Sequence, residues 1–253
     1  RLKTVAVTAA LIPAISMASG YKINEQSAAG MGTAHAGRAA MAEDASVVFY
    51  NPAAMTDLDH AQMTAGFTYI NADGEFEGSS TNAALLPGSF EGYDNGGNYL
   101  SDAFIPFFYY ARPVNENVSI GLGVFTPFGT NSDYGDNFTG GGFADETSLV
   151  SMEIQPSIAV KINDQLSIGG GVDIVYMEGT LSKQTDLLPY NPSPSAPAVL
   201  NDPAFAGYET HFEVSGDDWG YGWNIGAYYQ LSESTTLGLT YRSEIDITLE
   251  GSA

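Results

Sequence analysis

Residues 237–250 read LGLTYRSEIDITLE and alternate apolar with polar side chains. Leu237, Leu239, Tyr241, Ile245, Ile247 and Leu249 share one parity, interrupted only by Ser243. Gly238, Thr240, Arg242, Glu244, Asp246, Thr248 and Glu250 share the other. A period of two requires an extended strand with one oily and one charged face. A soluble sandwich would turn the oily face to a core, and a membrane barrel would turn it to lipid.

Six further strand-length runs follow one another from residue 62, one of them (AFIPFFYYA) apolar on both faces, so that seven strands are expected at roughly 62–73, 102–112, 117–127, 148–162, 165–181, 218–231 and 235–250. They last roughly 10–16 residues, where globular strands last about 5–6 and a tilted membrane strand needs about 9–11. Their connections alternate. RPVNEN, INDQ and LSES are tight, whereas 74–101, 128–147 and 182–217 are long. Short turns on one side and long loops on the other mark outer-membrane barrels. Aromatics gather near strand ends, as in Trp219, Tyr221 and Trp223, where an interfacial girdle would lie. The expected fold is all-β, a transmembrane antiparallel barrel, with Leu237 and its partners facing lipid and Arg242, Glu244 and Asp246 facing the lumen. Arg242 is expected to form an ion pair there. Seven strands leave two edges that lipid cannot satisfy, so residues 61–253 are read as the first part of a longer barrel.

The N-terminus is read as a secretory signal. Arg1 and Lys3 precede an apolar run from Thr4 to Ile15, and Ser16-Met17-Ala18 ends it with small residues at the cleavage positions. Residues 1–18 are therefore expected to be removed. Residues 19–60 are rich in Gly, Ala and Ser, with no strong strand and no long amphipathic helix.

Composition excludes several functions. A net charge of −22, with 8 Lys plus Arg against 30 Asp plus Glu, leaves no basic patch for nucleic acid. The absence of Cys rules out thiolate chemistry and Cys-type zinc sites. His35, His60 and His211 are far apart with no ligand spacing, and no GxSxG motif is present. Gly30, Gly32 and Gly37 do not match a dinucleotide fingerprint, and no strand precedes them. The acidic stretches 131–137 and 216–218 are read as solvated loops, with calcium binding or divalent bridging to lipopolysaccharide as the alternative. No enzyme, cofactor or metal site is expected.

Two regions carry chemistry of another kind. The third strand holds Gly121, Gly123, Pro127 and Gly129 within a short span. Proline removes a ladder donor and glycine weakens pairing, so a bend or break is expected near Pro127. In lipid the freed backbone must find other protein partners, and the Asn51 amide is the expected one, with Pro52 stiffening its turn. The loop 182–217 carries Leu187, Leu188, Val199, Leu200 and Phe205, which are too apolar for an idle surface.

The segment SGYKINEQSAAGMGTAHAGRAAMAEDASVVFYNPAAM resembles the N-terminal hatch of the FadL family of long-chain fatty acid transporters, which includes toluene and xylene importers. The likeness rests on Tyr21, Asn24 and Glu25, the spacing of Gly30 and Gly32, the pair Glu43-Asp44, and Asn51-Pro52-Ala53. WGYGWNIGAYYQLSESTTLGLTYRSEIDITLEG is similar to the same family's central strands. The resemblance implies a 14-stranded barrel plugged by residues 19–60, of which 61–253 would be half. It implies a monomeric, passive importer of long-chain fatty acids or similar hydrophobic molecules, set among outer-membrane lipid and lipopolysaccharide. Ligand would land among the long loops (Leu187, Leu188, Leu200, Phe205), reach a pocket over the hatch involving Tyr21 and Ile23, and leave sideways. The exit would lie at the third-strand kink, with Asn51, Pro52, Ala53, Pro127, Phe128 and Gly129 as gate. Lys183 aligns with the family's carboxylate-binding Arg. The alternatives are an importer of aromatic hydrocarbons or alkanes, for which a cation in the pocket would be pointless, and a non-transporting adhesin or phage receptor.

Overall fold

The computed structural model describes residues 22–76, 97–135, 138, 145–186 and 209–252. Residues 1–18, read above as a signal, together with Tyr21, Leu187, Leu188, Leu200 and Phe205, lie outside them. Nine strands form one antiparallel sheet: β1 Gln62–Ile70, β2 Ala103–Asn115, β3 Val118–Phe125, β4 Gly129–Asp133, β5 Glu146–Lys161, β6 Leu166–Asp186, β7 Glu209–Ser232, β8 Thr235–Arg242 and β9 Glu250–Ser252. The order is β1-β2-β3-β5-β6-β7-β8, with β4 continuing β3 along β5 and β9 continuing β8 along β7. The sheet curls into half a barrel. Its outward face is apolar, with Met63, Phe67, Val150, Ile158, Trp223 and Leu239 each more than half exposed. Its concave face is covered by the hatch, short helical pieces at Ala28–Met31, Arg38–Ala40, Val47–Tyr50 and Pro52–Asp57.

Burial alternates along β5 in the way the sequence pattern requires. Ser151, Glu153, Gln155, Ser157 and Ala159 are buried, while Val150, Met152, Ile154, Ile158 and Val160 are exposed. Here the small and polar residues are inside, because the outside is oil. The core is the hatch against the wall: Val47, Val48, Ala53, Ala54 and Met55 meet Phe107, Tyr109, Phe125 and Ala159.

Three strand expectations need correction. β6 runs on to Asp186 and β7 begins at Glu209, so Lys183 is a strand residue opposite Phe212 and does not sit in a loop. The ladder outlasts the hydrophobic alternation because these residues rise beyond the oily band. β8 ends at Arg242, and the chain regains the ladder only at β9. Between the pairs Asn224↔Arg242 and Asp217↔Glu250, β7 advances seven residues (224 − 217) while its neighbour advances eight (250 − 242). One surplus residue turns every following side chain to the other face. Ile245 and Ile247 accordingly press on the lumen side of Gly220 and Gly222, and Leu249 on that of Gly179. Glu244 and Asp246 are exposed. The interruption at Ser243 marks this switch, so the oily residues after it do not face lipid.

Candidate functional site

The third strand breaks over Thr126–Phe128. β3 ends with Phe125 paired to Phe107 on β2 and Glu153 on β5, and β4 resumes with Gly129 opposite Val150. The chain advances four residues (129 − 125) while β5 advances three (153 − 150). β4 does not rejoin the β2 ladder. Ala103–Pro106 pair with β1 on one side and have no ladder partner on the other among the described residues. Above this gap the wall is re-closed by the Leu100↔Ser132 bridge and by Asp133 N donating to Tyr99 O at 2.8 Å. The result is a window in the wall, framed below by Phe107 and Phe125.

Backbone groups freed at the break are satisfied from inside. Gln26 Nε2 donates to Thr126 O at 2.5 Å, and Ile23 N to Pro127 O at 2.9 Å. Phe128 N donates to Ser151 Oγ at 3.0 Å, and the same hydroxyl donates to Phe128 O at 2.6 Å. Lys22 bridges Phe128, and the Ile23 side chain lies over Gly129, where an added Cβ would sit 3.2 Å from Ile23 Cδ1. The segment Lys22–Gln26 thus covers the window from the lumen side. Lys22 is open to lumen water but surrounded by protein on several sides. Burial, then the nearby Arg242, lowers its ammonium pKa, while Glu153 opposes this.

Asn51 is not the partner of the break. Its Nδ2 donates to Ala39 O (2.6 Å) and Ala227 O (3.1 Å), and its Oδ1 accepts from Ala53 N (3.1 Å). It caps the Pro52–Asp57 segment and docks the hatch onto β7, which uses all its donors in place. Pro52 and Ala53 abut Gly169, where an added Cβ would come within 2.5 Å of Ala53 N. The gate residues therefore divide: Pro127, Phe128 and Gly129 lie at the break, while Asn51, Pro52 and Ala53 seat the hatch elsewhere on the wall. Sequence reasoning missed Gln26 and Ser151. The legible signal was Ser151 itself, a polar residue on the lumen parity of the strand opposite Pro127.

Arg242 does face the lumen, as expected, but with other partners. Its Nη1 pairs with Glu153 and, at 3.0 Å, with Asp173 Oδ1, and Nη2 donates to Gln155 Oε1 at 2.7 Å. Gln155 in turn donates to Val48 O at 2.6 Å, and the guanidinium lies 5.2 Å from the Phe49 ring centre. Curling brings β5 and β6 opposite β8, while the register switch carries Glu244 and Asp246 away. This network clasps the hatch to the wall. In the hatch, Arg38 pairs with Glu43 at 2.8 Å, and burial pushes the Tyr50 phenol up to about 12.

A cavity of ≈ 500 Å³ lies beside the upper edge of the break, its lining including Thr130, Leu149, Gly179, Leu181, Val214 and Leu249. Thr130 adjoins Gly129, and Leu249 reaches the cavity through the switch at Ser243. Among the described residues no charged side chain lines it. Lys183 is exposed and stands two residues beyond Leu181, on the same face by alternation.

The chain matches the family model described as Outer membrane protein transport protein (OMPP1/FadL/TodX) over residues 9–253. It is 31% identical over 253 residues to the long-chain fatty acid transport protein of Escherichia coli O6:H1 (strain CFT073), covering 97% of this chain and 55% of that protein. With outer membrane protein P1 of Haemophilus influenzae (strain Rd) it shares 32% over 249 residues, covering 91% and 54%. The crystal structure of a Pseudomonas aeruginosa FadL homologue superimposes with a TM-score of 0.69 at 28% identity, over 90% of this chain and 53% of that one. The chain spans about half the length of these relatives, consistent with half a barrel. On a match that runs through hatch and wall alike, this chain belongs to the OMPP1/FadL/TodX family of outer-membrane β-barrel transport proteins.

Proposed function

We propose that this chain forms the hatch-bearing half of a passive outer-membrane importer of hydrophobic molecules, which releases its ligand sideways into lipid. The observation that carries the reading is the window between Ala103–Pro106 and Thr126–Thr130, next to a largely apolar cavity and covered, among the described residues, by Lys22–Gln26. An oily molecule gains nothing from a watery outlet, so a route from cavity to membrane avoids solvating it. Lys22–Gln26 must move aside for passage, which breaks the bonds of Ile23 N, Gln26 Nε2 and Glu25 O, exposes the buried Gln26 and lifts Ile23 off Gly129. Long-chain fatty acids are the favoured ligands, with Lys183 meeting the carboxylate above the oily cavity. A plug with no wall gap would have favoured an adhesin.

These 253 residues contain no cysteine, so an engineered pair, Ile23→Cys with Gly129→Cys, gives a clean test in the full-length protein once any cysteine beyond them is replaced by Ser. Oxidation should tie the segment to β4 and stop fatty-acid uptake by cells, and a reductant should restore it. Uptake that ignores the cross-link rules out this exit. The uncharged lining of the cavity favours a second reading, import of hydrocarbons. Lys183→Ala separates the two: it should slow palmitate and leave toluene and alkanes unchanged if the carboxylate matters.

A further inference from the structure

On the outward side of β5, β6 and β7 the wall carries a groove of ≈ 680 Å³. Its floor is Gly170, and its sides are Ile158, Ile168, Val172, Trp223 and Ile225, each between 42% and 53% exposed. Among the described residues no charged one lines it. Gly170 is imposed by the ladder, since a Cβ there would fall 2.8 Å from Asn224 O. On the other side of the same strand, Gly169 receives the hatch turn Pro52–Ala53. At this point the wall is a bare backbone, with the hatch on one side and the groove on the other.

Closing the barrel would add strands at the free edges of β1 and β8, so nothing in that closure covers the outward face of β5–β7. The depth of the groove identifies the leaflet. Gly170 pairs with Ile158, three residues (161 − 158) from the end of β5 at the tight-turn side. At about 3.3 Å per residue and a tilt of about 40°, that is roughly 8 Å above the rim, short of the middle of an apolar band about 25 Å tall.

We propose that this groove retains one acyl chain of a phospholipid of the periplasmic leaflet, filling the outer side of the wall where the hatch is seated. The reading is independent of what the barrel transports. It commits to a membrane lipid because the sides of the groove are apolar side chains, continue the lipid-facing band and open sideways into it, not into the lumen. An annular lipid slides past a smooth wall, whereas a chain lying between Trp223 and Ile158 gains contact on three sides.

The test uses the full-length protein in phosphatidylethanolamine nanodiscs doped with phosphatidylethanolamine carrying a photoactivatable diazirine on its acyl chain. Cross-linked peptides are read by mass spectrometry. Label should concentrate on the peptides of Pro156–Val160, Ile168–Val172 and Trp223–Ile225, above the level on the outward residues Met63 and Phe104. Val172→Trp, which fills the groove from an exposed position, should cut that label at least about fivefold, equivalent to about 1 kcal/mol, with Met63 and Phe104 unaffected. Should that variant fail to assemble, Trp223→Ala removes one side and should lower the label likewise. Label spread evenly over the outward face, label unchanged in the assembled variant, or labelling by photoactivatable palmitate in place of the phospholipid would each overturn the proposal.

Discussion

Two strands of this wall carry one residue more than their neighbour and leave the ladder there, but only one of them opens a gap between two neighbours. At Ser243 the surplus turns the chain over beside a β7 that runs on unbroken: Ser243 N donates to Trp223 O at 2.8 Å and Trp223 N to Ser243 Oγ at 2.9 Å, and the chain rejoins the β7 ladder at Glu250. At Thr126–Phe128 the strand also loses its second neighbour, because the β2 ladder ends at Phe107↔Phe125 and Pro127 has no N–H with which to renew it. A surplus residue decides which face the following side chains take. An opening needs more, namely a missing donor and a neighbour that stops. The first event lines a cavity and the second opens the wall beside it.

The largest effect on uptake should come from removing the surplus at the break. Deleting Pro127 lets the third strand advance in step with β5, and fatty-acid uptake should fall by about 30-fold or more, roughly 2 kcal/mol in the barrier, while heat-modifiable gel mobility shows an assembled barrel. Uptake near the wild-type rate would mean that the break is not the route. Arg242 anchors the strand just before the other surplus. Arg242→Met leaves Glu153 and Asp173 buried without their cation and should cost about 3–5 kcal/mol in denaturant unfolding, part of it regained on adding Glu153→Gln. A loss under about 1 kcal/mol would show that the clasp is solvated after all. Ser151→Ala strips Phe128 of both its partners and should cost about 1–3 kcal/mol, with faster proteolysis around Thr126 as the local readout. The smallest change is expected from deleting Ser243. Leu249 would turn outward and leave the cavity, weakening equilibrium binding of labelled palmitate by about 1 kcal/mol, or fivefold. Unchanged binding would exclude that cavity as the ligand's seat.

Much of this was legible in the chain. Alternation identified seven long strands and their lipid face, the tight turns ordered them, and Pro127 with its glycines located the break to within a residue or two. What escaped detection depended on partners distant in sequence. Asn51 offers the same donor and acceptor wherever it docks, so its chemistry could not distinguish Ala227 from the break. Arg242 has acidic residues two and four places along its own strand, but its counter-charges come from β5 and β6 through the curl of the sheet. The surplus at Ser243 left one visible mark, a polar residue in an oily parity, which by itself is indistinguishable from ordinary variation. The extension of β6 and β7 was hidden because period two is a statement about solvent on two faces, and a ladder standing in water on both has no such period.

The hydrogen bond from Asn51 to Ala227 joins residues 176 apart in sequence, and the one from Gln155 to Val48 joins residues 107 apart. The hatch is made first and its partner on β7 much later. Until β7 has joined the growing sheet, Asn51 lacks Ala227, although Pro52 and Ala53 can already lie on Gly169 of β6, and contacts of such long range form slowly. The hatch must therefore travel as a passenger inside a sheet that is still open. Its Ala-rich, weakly structured pieces suit that wait, since they offer the membrane no long oily face on which to settle prematurely.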